Sequence, residues 1–251
     1  MSTLASELVK LRTIRTPFYL LLACALISAG VAAGFVGSGS VDRIDPDPAL
    51  SLGQGASFGT LFASVVGILI VTNEYRHGTI MTTFLAEPRR LRVLGAKLAA
   101  AAIAGLTFGL TALVAAGAVA LPWLAARGES LRLDGQAAEA VGRVLLSFVL
   151  TCVIGAAVGA IVQSQVGSLV GWFVWLFVVE SLISVLASLL LTDFGDPDPL
   201  TPYLPGSSLS GIVGGEGSEY VLAGGWAALV ALGYAIGLSL LAAAAITRRD
   251  P

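Results

Sequence analysis

The chain holds a single imidazole. His77 stands beside Arg76 in the run Glu74-Tyr75-Arg76-His77-Gly78-Thr79-Ile80, and a hydroxyl or thiol nucleophile would need a base of this kind within reach. The two cysteines, Cys24 and Cys152, fall inside apolar stretches and read as buried structural residues. One His and no Cys pair argue against a zinc site or a disulfide framework. No Gly-rich loop followed by Lys and Ser or Thr is present, so no ATP site is expected in this chain. No catalytic, cofactor-binding or metal-binding residue is therefore expected. The chemistry on offer is that of charge. The segment from Glu74 through Pro88-Arg89-Arg90 to Lys97 carries five of the fourteen Lys and Arg residues, lodged between two apolar runs.

Those runs decide the architecture. The 251 residues are 56% hydrophobic and 12% charged, about half the charge of an ordinary soluble domain. Six blocks approach or exceed the length that crosses a bilayer as helix, about 20 residues: 17–37, 57–73, 97–121, 143–163, 167–191 and 221–246. They lack the strict alternation of barrel strands. The expected fold is all-α and polytopic, one transmembrane domain over 1–251. Placing the N-terminus in the cytosol puts ten basic residues inside and four outside (Arg43, Arg127, Arg132 and Arg143), so both termini are expected to be cytoplasmic. Nothing points to nucleic acid.

Three connecting regions have character. Residues 1–16 carry Leu4, Leu8 and Leu11 at helical spacing among Lys10, Arg12 and Arg15, which predicts an amphipathic helix in the inner interface, broken at Thr16-Pro17. In the cytosolic loop 74–96, Thr79 is placed to cap a short helix from Ile80 to Ala86, stopped at Glu87-Pro88. The bland reading of its arginines is the charge-inside rule alone. The outer region 192–220 mixes Pro197, Pro199, Pro202 and Pro205 with Leu200, Leu204, Leu209, Ile212 and Val213, the mark of short helices dipping into the outer leaflet.

Two further features sit within the spans. Glycines one turn apart recur at Gly30 and Gly34, Gly105 and Gly109, Gly155 and Gly159, Gly167 and Gly171, and Gly233 and Gly237, a spacing that lets helix backbones approach. Glu180 is the acidic residue near mid-bilayer in the fifth span, with Ser184 one turn on and Phe173 and Phe177 on the same face. A carboxylate there must face protein or water. It reads either as a pathway-lining or helix-coupling group or as one hydrogen-bonded within the bundle.

The chain resembles the permease subunit of ABC-2-type (type V) ATP-binding-cassette exporters. The likeness rests on Ser6-Glu7-Leu8-Val9-Lys10-Leu11-Arg12-Thr13, on Glu74-Tyr75-Arg76-His77-Gly78-Thr79-Ile80 with Pro88-Arg89-Arg90 and Lys97, and on Tyr203-Leu204-Pro205. It extends in layout over nearly the whole chain, and the Ala and Gly richness resembles actinobacterial members. The resemblance implies six transmembrane helices, an N-terminal interfacial helix and a cytosolic coupling helix. It implies a second permease copy, identical or different, and two separate ATPase subunits that bind ATP and magnesium. Carried over, Glu74, Tyr75, Arg76, His77, Gly78, Thr79, Arg89 and Arg90 couple to the ATPase, and residues 192–220 supply outer re-entrant helices. The expected role is drug or antibiotic efflux across a bacterial cell membrane. The rival expectations are an ion-gradient transporter using Glu180 and a non-transporting immunity or sensor component.

Overall fold

The computed structural model describes residues 3–13, 15–37, 53, 55–126, 135–191, 199–214, 222 and 224–248. Most of the acids expected in outer loops, among them Asp42, Asp45, Asp47, Glu129, Asp134, Asp193, Asp196, Asp198, Glu216 and Glu219, lie outside these residues, as do Arg43, Arg127 and Arg132. The described elements are helices: α1 (Thr3–Thr13), α2 (Arg15–Gly37), α3 (Thr60–Arg76), α4 (Ile80–Ala86), α5 (Arg90–Ala126), α6 (Gly135–Val162), α7 (Gln165–Val174) running through a π-helical turn (Trp175–Val179) into α8 (Glu180–Leu191), a 3-10 turn (Thr201–Tyr203), α9 (Pro205–Gly211) and α10 (Gly224–Arg248). Among the described residues, six helices are long and apolar enough to cross a membrane: Arg15–Gly34, Gly55–Arg76, Arg90–Trp123, Ala137–Val162, Gln165–Leu190 and Gly224–Arg248. The protein is a multi-pass membrane protein, all-helical among the described residues.

The second and fourth spans form the centre, each 67% buried, while the fifth is 11% buried and lies at the edge. The centre is built on missing side chains. A Cβ on Gly67 of α3 would fall on the Cys152 carbonyl of α6, and one on Gly155 of α6 would fall on the Ser64 carbonyl of α3. Gly105 brings α5 nearly as close, since a Cβ there would lie 2.7 Å from the Phe148 carbonyl oxygen. Backbone-to-backbone contact of this kind is how helices pack where lipid offers no hydrophobic drive. The pairs at 105/109 and 155/159 thus serve packing within the bundle. Gly30, Gly34, Gly171, Gly233 and Gly237 meet nothing within 4 Å. Around the crossing lie Phe148, Cys152, Ala156, Val66, Phe108 and Cys24, all buried, and both cysteines are free thiols. Buried hydroxyls return their protons to the helix, as Thr72 Oγ1 does to the Ile68 carbonyl at 2.8 Å and Thr151 Oγ1 to the Ser147 carbonyl at 2.7 Å.

Two boundaries differ from the sequence reading. Residues 90–96 are not loop: α5 is a continuous helix of 37 residues, because nothing after Pro88 breaks it and Arg90, Arg92 and Lys97 are good helix formers. The connector is therefore only 77–89. At the N-terminus, α1 ends at Thr13, and Thr16 and Pro17 already belong to the first turn of α2, where a missing N–H costs nothing.

The segment after the fifth span returns deep into the bundle. Tyr234 Oη donates to the Tyr203 carbonyl at 3.0 Å, and Ser147 Oγ donates to the Leu209 carbonyl at 3.0 Å. Counted from the ends of α10 and α6 remote from α1, these contacts lie about 15 and about 18 Å inward at 1.5 Å per residue. Leu209, Ile212 and Val213 are buried there. Of the 192–220 region, residues 199–214 are described, and they form the short helices expected from their proline and leucine spacing.

Candidate functional site

Four charged side chains meet at the end of the bundle that carries α1 and α4. Lys97 Nζ, on α5, lies 3.2 Å from Glu7 Oε2, 3.0 Å from Glu74 Oε1 and 3.4 Å from the Ile70 carbonyl oxygen. These three acceptors match the three protons of an ammonium. Lys10 Nζ, on α1, lies 2.7 Å from Glu7 Oε1 and also donates to Glu74 Oε1. The second Glu74 oxygen accepts from Thr83 Oγ1 of α4 at 3.4 Å. The Lys97, Glu7 and Glu74 side chains are 3%, 6% and 7% exposed. Two carboxylates thus face two ammoniums with little water, which is tolerable because every charge is paired and hydrogen-bonded. At Lys10, burial lowers the pKa, but the hydrogen bonds and charges of Glu7 and Glu74 outweigh it and hold the ammonium above its ordinary value. The cluster joins α1, α3, α4 and α5 at one point.

The sequence reading named Glu74 but not its partners. In the sequence Lys97 reads as an inside charge, and Glu7 stands beside a leucine stripe with nothing local to mark a partner. Yet Glu7 is the buried residue on that helix among those whose side chains are described. Leu11 packs on the core beside it. The available signals were a lysine seven residues into an apolar helix and the Glu7-to-Lys10 spacing of three.

The expected coupling residues separate into four groups. Glu74 points inward to the charge cluster and is not on the surface. Tyr75 and Arg76 turn to the α6–α7 turn, where Arg76 Nη1 donates to Gln165 Oε1 at 3.1 Å. His77, Gly78, Thr79 and Arg89 are exposed around α4. Gly78 has φ +66, a left-handed turn that glycine adopts without strain and that separates α3 from α4. Thr79 occupies the N-cap position, but its side chain makes no capping bond. Arg90 is a tether. Its Nη1 donates to the Ile246 carbonyl of α10 at 3.0 Å, and its guanidinium lies 5.5 Å from the centroid of the Phe84 ring on α4. The outward face of α4 shows Met81 and Leu85, the latter 84% exposed.

Glu180 lies elsewhere, at the seat of the re-entrant segment. Its Oε1 accepts from Gly206 N at 2.7 Å and from Trp175 Nε1 at 3.0 Å, and its Oε2 accepts from Ser207 N at 3.2 Å. The carboxylate therefore holds the first turn of α9, where unpaired backbone N–H groups are found. The π turn makes the Trp175 bond by bringing residues five apart together. Of the two sequence readings, hydrogen bonding within the bundle is what the geometry shows. Phe177 is 61% exposed while Glu180 is buried, so it does not share that face, whereas Ser184, four residues on in the same helix, does. Phe173 and Phe177 stack on each other at 6.1 Å. The π turn shifts the register between them and Glu180, and nothing in the apolar run 167–191 announces it.

Among the described residues, no group of His, Cys, Asp and Glu is placed to hold a metal ion. No protein-family model and no curated protein matches the chain.

Proposed function

We propose that this chain is the membrane permease subunit of an ATP-driven exporter of the ABC-2 type. It works with a second permease copy and with a separate cytosolic ATPase, present twice, that binds ATP and magnesium. The observation that carries the reading is α4. This short helix is pinned between the second and third spans, anchored on its inner side and apolar on its outer side. Thr83 binds Glu74, and Phe84 lies under Arg90, which binds α10. Met81 and Leu85 face outward with Arg89 nearby.

In this reading the ATPase grips the outer face of α4, and closure of the ATPases on ATP displaces it. The displacement reaches α3 through Glu74, α10 through Arg90 and α1 through Glu7 and Lys10. A ligand shifts such an equilibrium only by its differential affinity for the two states, which here is supplied by nucleotide in the partner. Glu180 anchors the re-entrant segment on the outer side and is not an ion carrier. The N- and C-termini are cytoplasmic, the membrane is a bacterial cell membrane, and the cargo is a hydrophobic or amphipathic small molecule such as a drug or antibiotic.

The test is co-expression with a candidate P-loop ATPase from the same organism, followed by purification and reconstitution. Stable co-purification and transport that needs ATP and ignores ionophores are expected. Transport by the permease alone, or collapse of transport with the ion gradient, would overturn the proposal.

A further inference from the structure

We propose that α1 is a strap with two positions, one docked on the bundle and one lifted from it, and that the charges beneath it are divided so that lifting leaves none of them unpaired. The division follows the elements. α1 carries Glu7 and Lys10, while the bundle carries Glu74 on α3 and Lys97 on α5. Each part holds one acid and one base already in contact. Lys10 Nζ lies 2.7 Å from Glu7 Oε1, and Lys97 Nζ lies 3.0 Å from Glu74 Oε1. The bonds across the boundary, Lys97 to Glu7 and Lys10 to Glu74, are additions to these pairs.

An unpaired buried charge is what makes such a cluster costly to open. Of the three helices that contribute charge, α1 alone leaves a balance behind. Removing α3 would leave two lysines to one carboxylate, and removing α5 would leave two carboxylates to one lysine. With α1 away, Glu74 keeps Lys97 and the Thr83 hydroxyl, and Lys97 keeps the Ile70 carbonyl. The departing pair survives as well, because residues three apart stay neighbours on a free helix.

The packing of α1 is light and one-sided. Among its described side chains only Glu7 is buried, while Leu4, Ala5 and Leu11 are half-buried and Val9 is 50% exposed. α1 packs chiefly on α5. Toward α3 and α4 it stands off across a cleft of about 370 Å³, lined from α1 by Glu7, Lys10 and Leu11. No backbone interlock of the kind that joins α3 to α6 holds it. α1 has no glycine, and Gly95 of α5, two residues before Lys97, meets nothing within 4 Å. Thr13 Oγ1 donates to the Val9 and Lys10 carbonyls at 3.0 and 3.1 Å, so α1 ends as a helix in its own right.

A lifted α1 has a surface to rest on, since a bilayer interface accepts a helix with Leu4, Leu8 and Leu11 at this spacing. The two positions differ in what reaches Glu74. Docked, α1 adds Lys10 to the carboxylate whose other oxygen accepts from Thr83 of α4. Lifted, it withdraws that bond and leaves Glu74 to Lys97 and Thr83. The strap thus adjusts the anchor of α4 without releasing it, whatever α4 docks against.

The experiment is pulsed electron–electron distance measurement on the full chain in lipid nanodiscs, with no ATPase present. Spin labels go on Val9→Cys of α1 and Thr247→Cys of α10, both exposed, while the two native cysteines are buried. Leu110→Cys with Leu240→Cys, exposed on α5 and α10, is the reference pair within the bundle. The otherwise unaltered chain should show a docked distance and a minor second one. Glu7→Lys with Lys10→Glu keeps α1 neutral and its internal pair intact, but sets like charges against each other across the boundary. It should raise the ratio of lifted to docked α1 about tenfold or more and leave the reference distance unchanged. Glu7→Gln with Lys10→Gln removes both crossing bonds without repulsion and should shift the ratio less, in the same direction. If the reversed chain does not fold, the neutral one decides. A single α1 distance in every folded chain would overturn the proposal, as would a reference distance that broadens together with that of α1.

Discussion

Glu7 and Lys97, 90 positions apart in the chain, meet 3.2 Å apart with almost no exposure to water. The contact fastens α1 to the third membrane helix through a charge, beside Leu11, which packs on the core. Removing one member leaves the other buried and unpaired, a change that costs about 3–5 kcal/mol. Lys97→Met should therefore lower the thermal midpoint of the detergent-solubilised protein and speed amide exchange in α1. Lys97→Met combined with Glu7→Gln restores charge balance through Lys10 and Glu74, and should recover much of that loss. A double variant no better than Lys97→Met alone would mean that the two residues are not coupled.

The same cluster sets a pH dependence. The folded pKa of Lys10 is held above its unfolded value of 10.5. A raised pKa contributes stability that is complete below the unfolded value and is lost as pH rises through the folded one. The Lys10 contribution to α1 docking should thus be constant from neutral to mildly alkaline pH and fade only above about 10.5. Amide exchange in α1 across an alkaline series, compared with Lys10→Met, measures it. Loss of the Lys10-dependent protection near pH 8 would contradict the pairing.

Gly206 and Glu180 form the second joint. A Cβ on Gly206 would lie 2.7 Å from Glu180 Oε2 and 2.7 Å from Leu176 Cδ2, so Gly206→Ala makes the carboxylate and the leucine side chain give way and loosens the seat of α9. Glu180→Gln keeps the size but sets an NH₂ group against backbone donors, at a cost of about 1–3 kcal/mol. Both variants should insert and assemble, expose residues 199–214 to limited proteolysis and reduce transport. Full transport with an intact proteolytic pattern would show that the seat has no bearing on activity.

The outer face of α4 is a surface whose change should leave the fold alone. Leu85 is 84% exposed, so Leu85→Asp should shift permease stability by less than about 0.5 kcal/mol. If α4 is the docking helix, the same change, alone or with Arg89→Glu, should abolish co-purification of the ATPase and nucleotide-dependent transport. Unaltered ATPase binding by the double variant would move the dock elsewhere.

The glycines separate cleanly by environment. Gly67→Ala must drive α3 and α6 apart, and should cost about 3 kcal/mol or more and reduce yield. Gly233→Ala meets nothing within 4 Å and should be neutral or slightly stabilising within α10. Thermal midpoints of the two variants check the contrast, and equal midpoints would contradict the close crossing.

Much of the framework was legible because it is written locally. The six spans follow from block length and composition, and α4 was delimited by Gly78 on one side and Glu87-Pro88 on the other. The charge cluster was not legible, since no local rule pairs Glu7 with Lys97 across 90 positions. A lysine near a membrane boundary is accounted for by topology before any partner is sought. The leucine spacing of α1 marks a helix and a packed Leu11, but periodicity reports which residues share a face and not what that face meets, so it gives no sign of Glu7's partners. The π turn escaped because its residues, Trp175–Val179, are as apolar as an ordinary span. It exists through Glu180 and its partners in three dimensions.

The interlock of Gly67 with Gly155 has a mechanical corollary. Two rods touching main chain to main chain cannot slip or roll past each other without collision, so the second and fourth spans travel together as one keel. Movement of one part of the bundle against another falls to its rim, above all to the fifth span. That span has little of its surface embedded in its neighbours, and its middle is pegged by one carboxylate. A rim released from that peg, swinging against a keel that moves as a unit, is the degree of freedom that this fold leaves available.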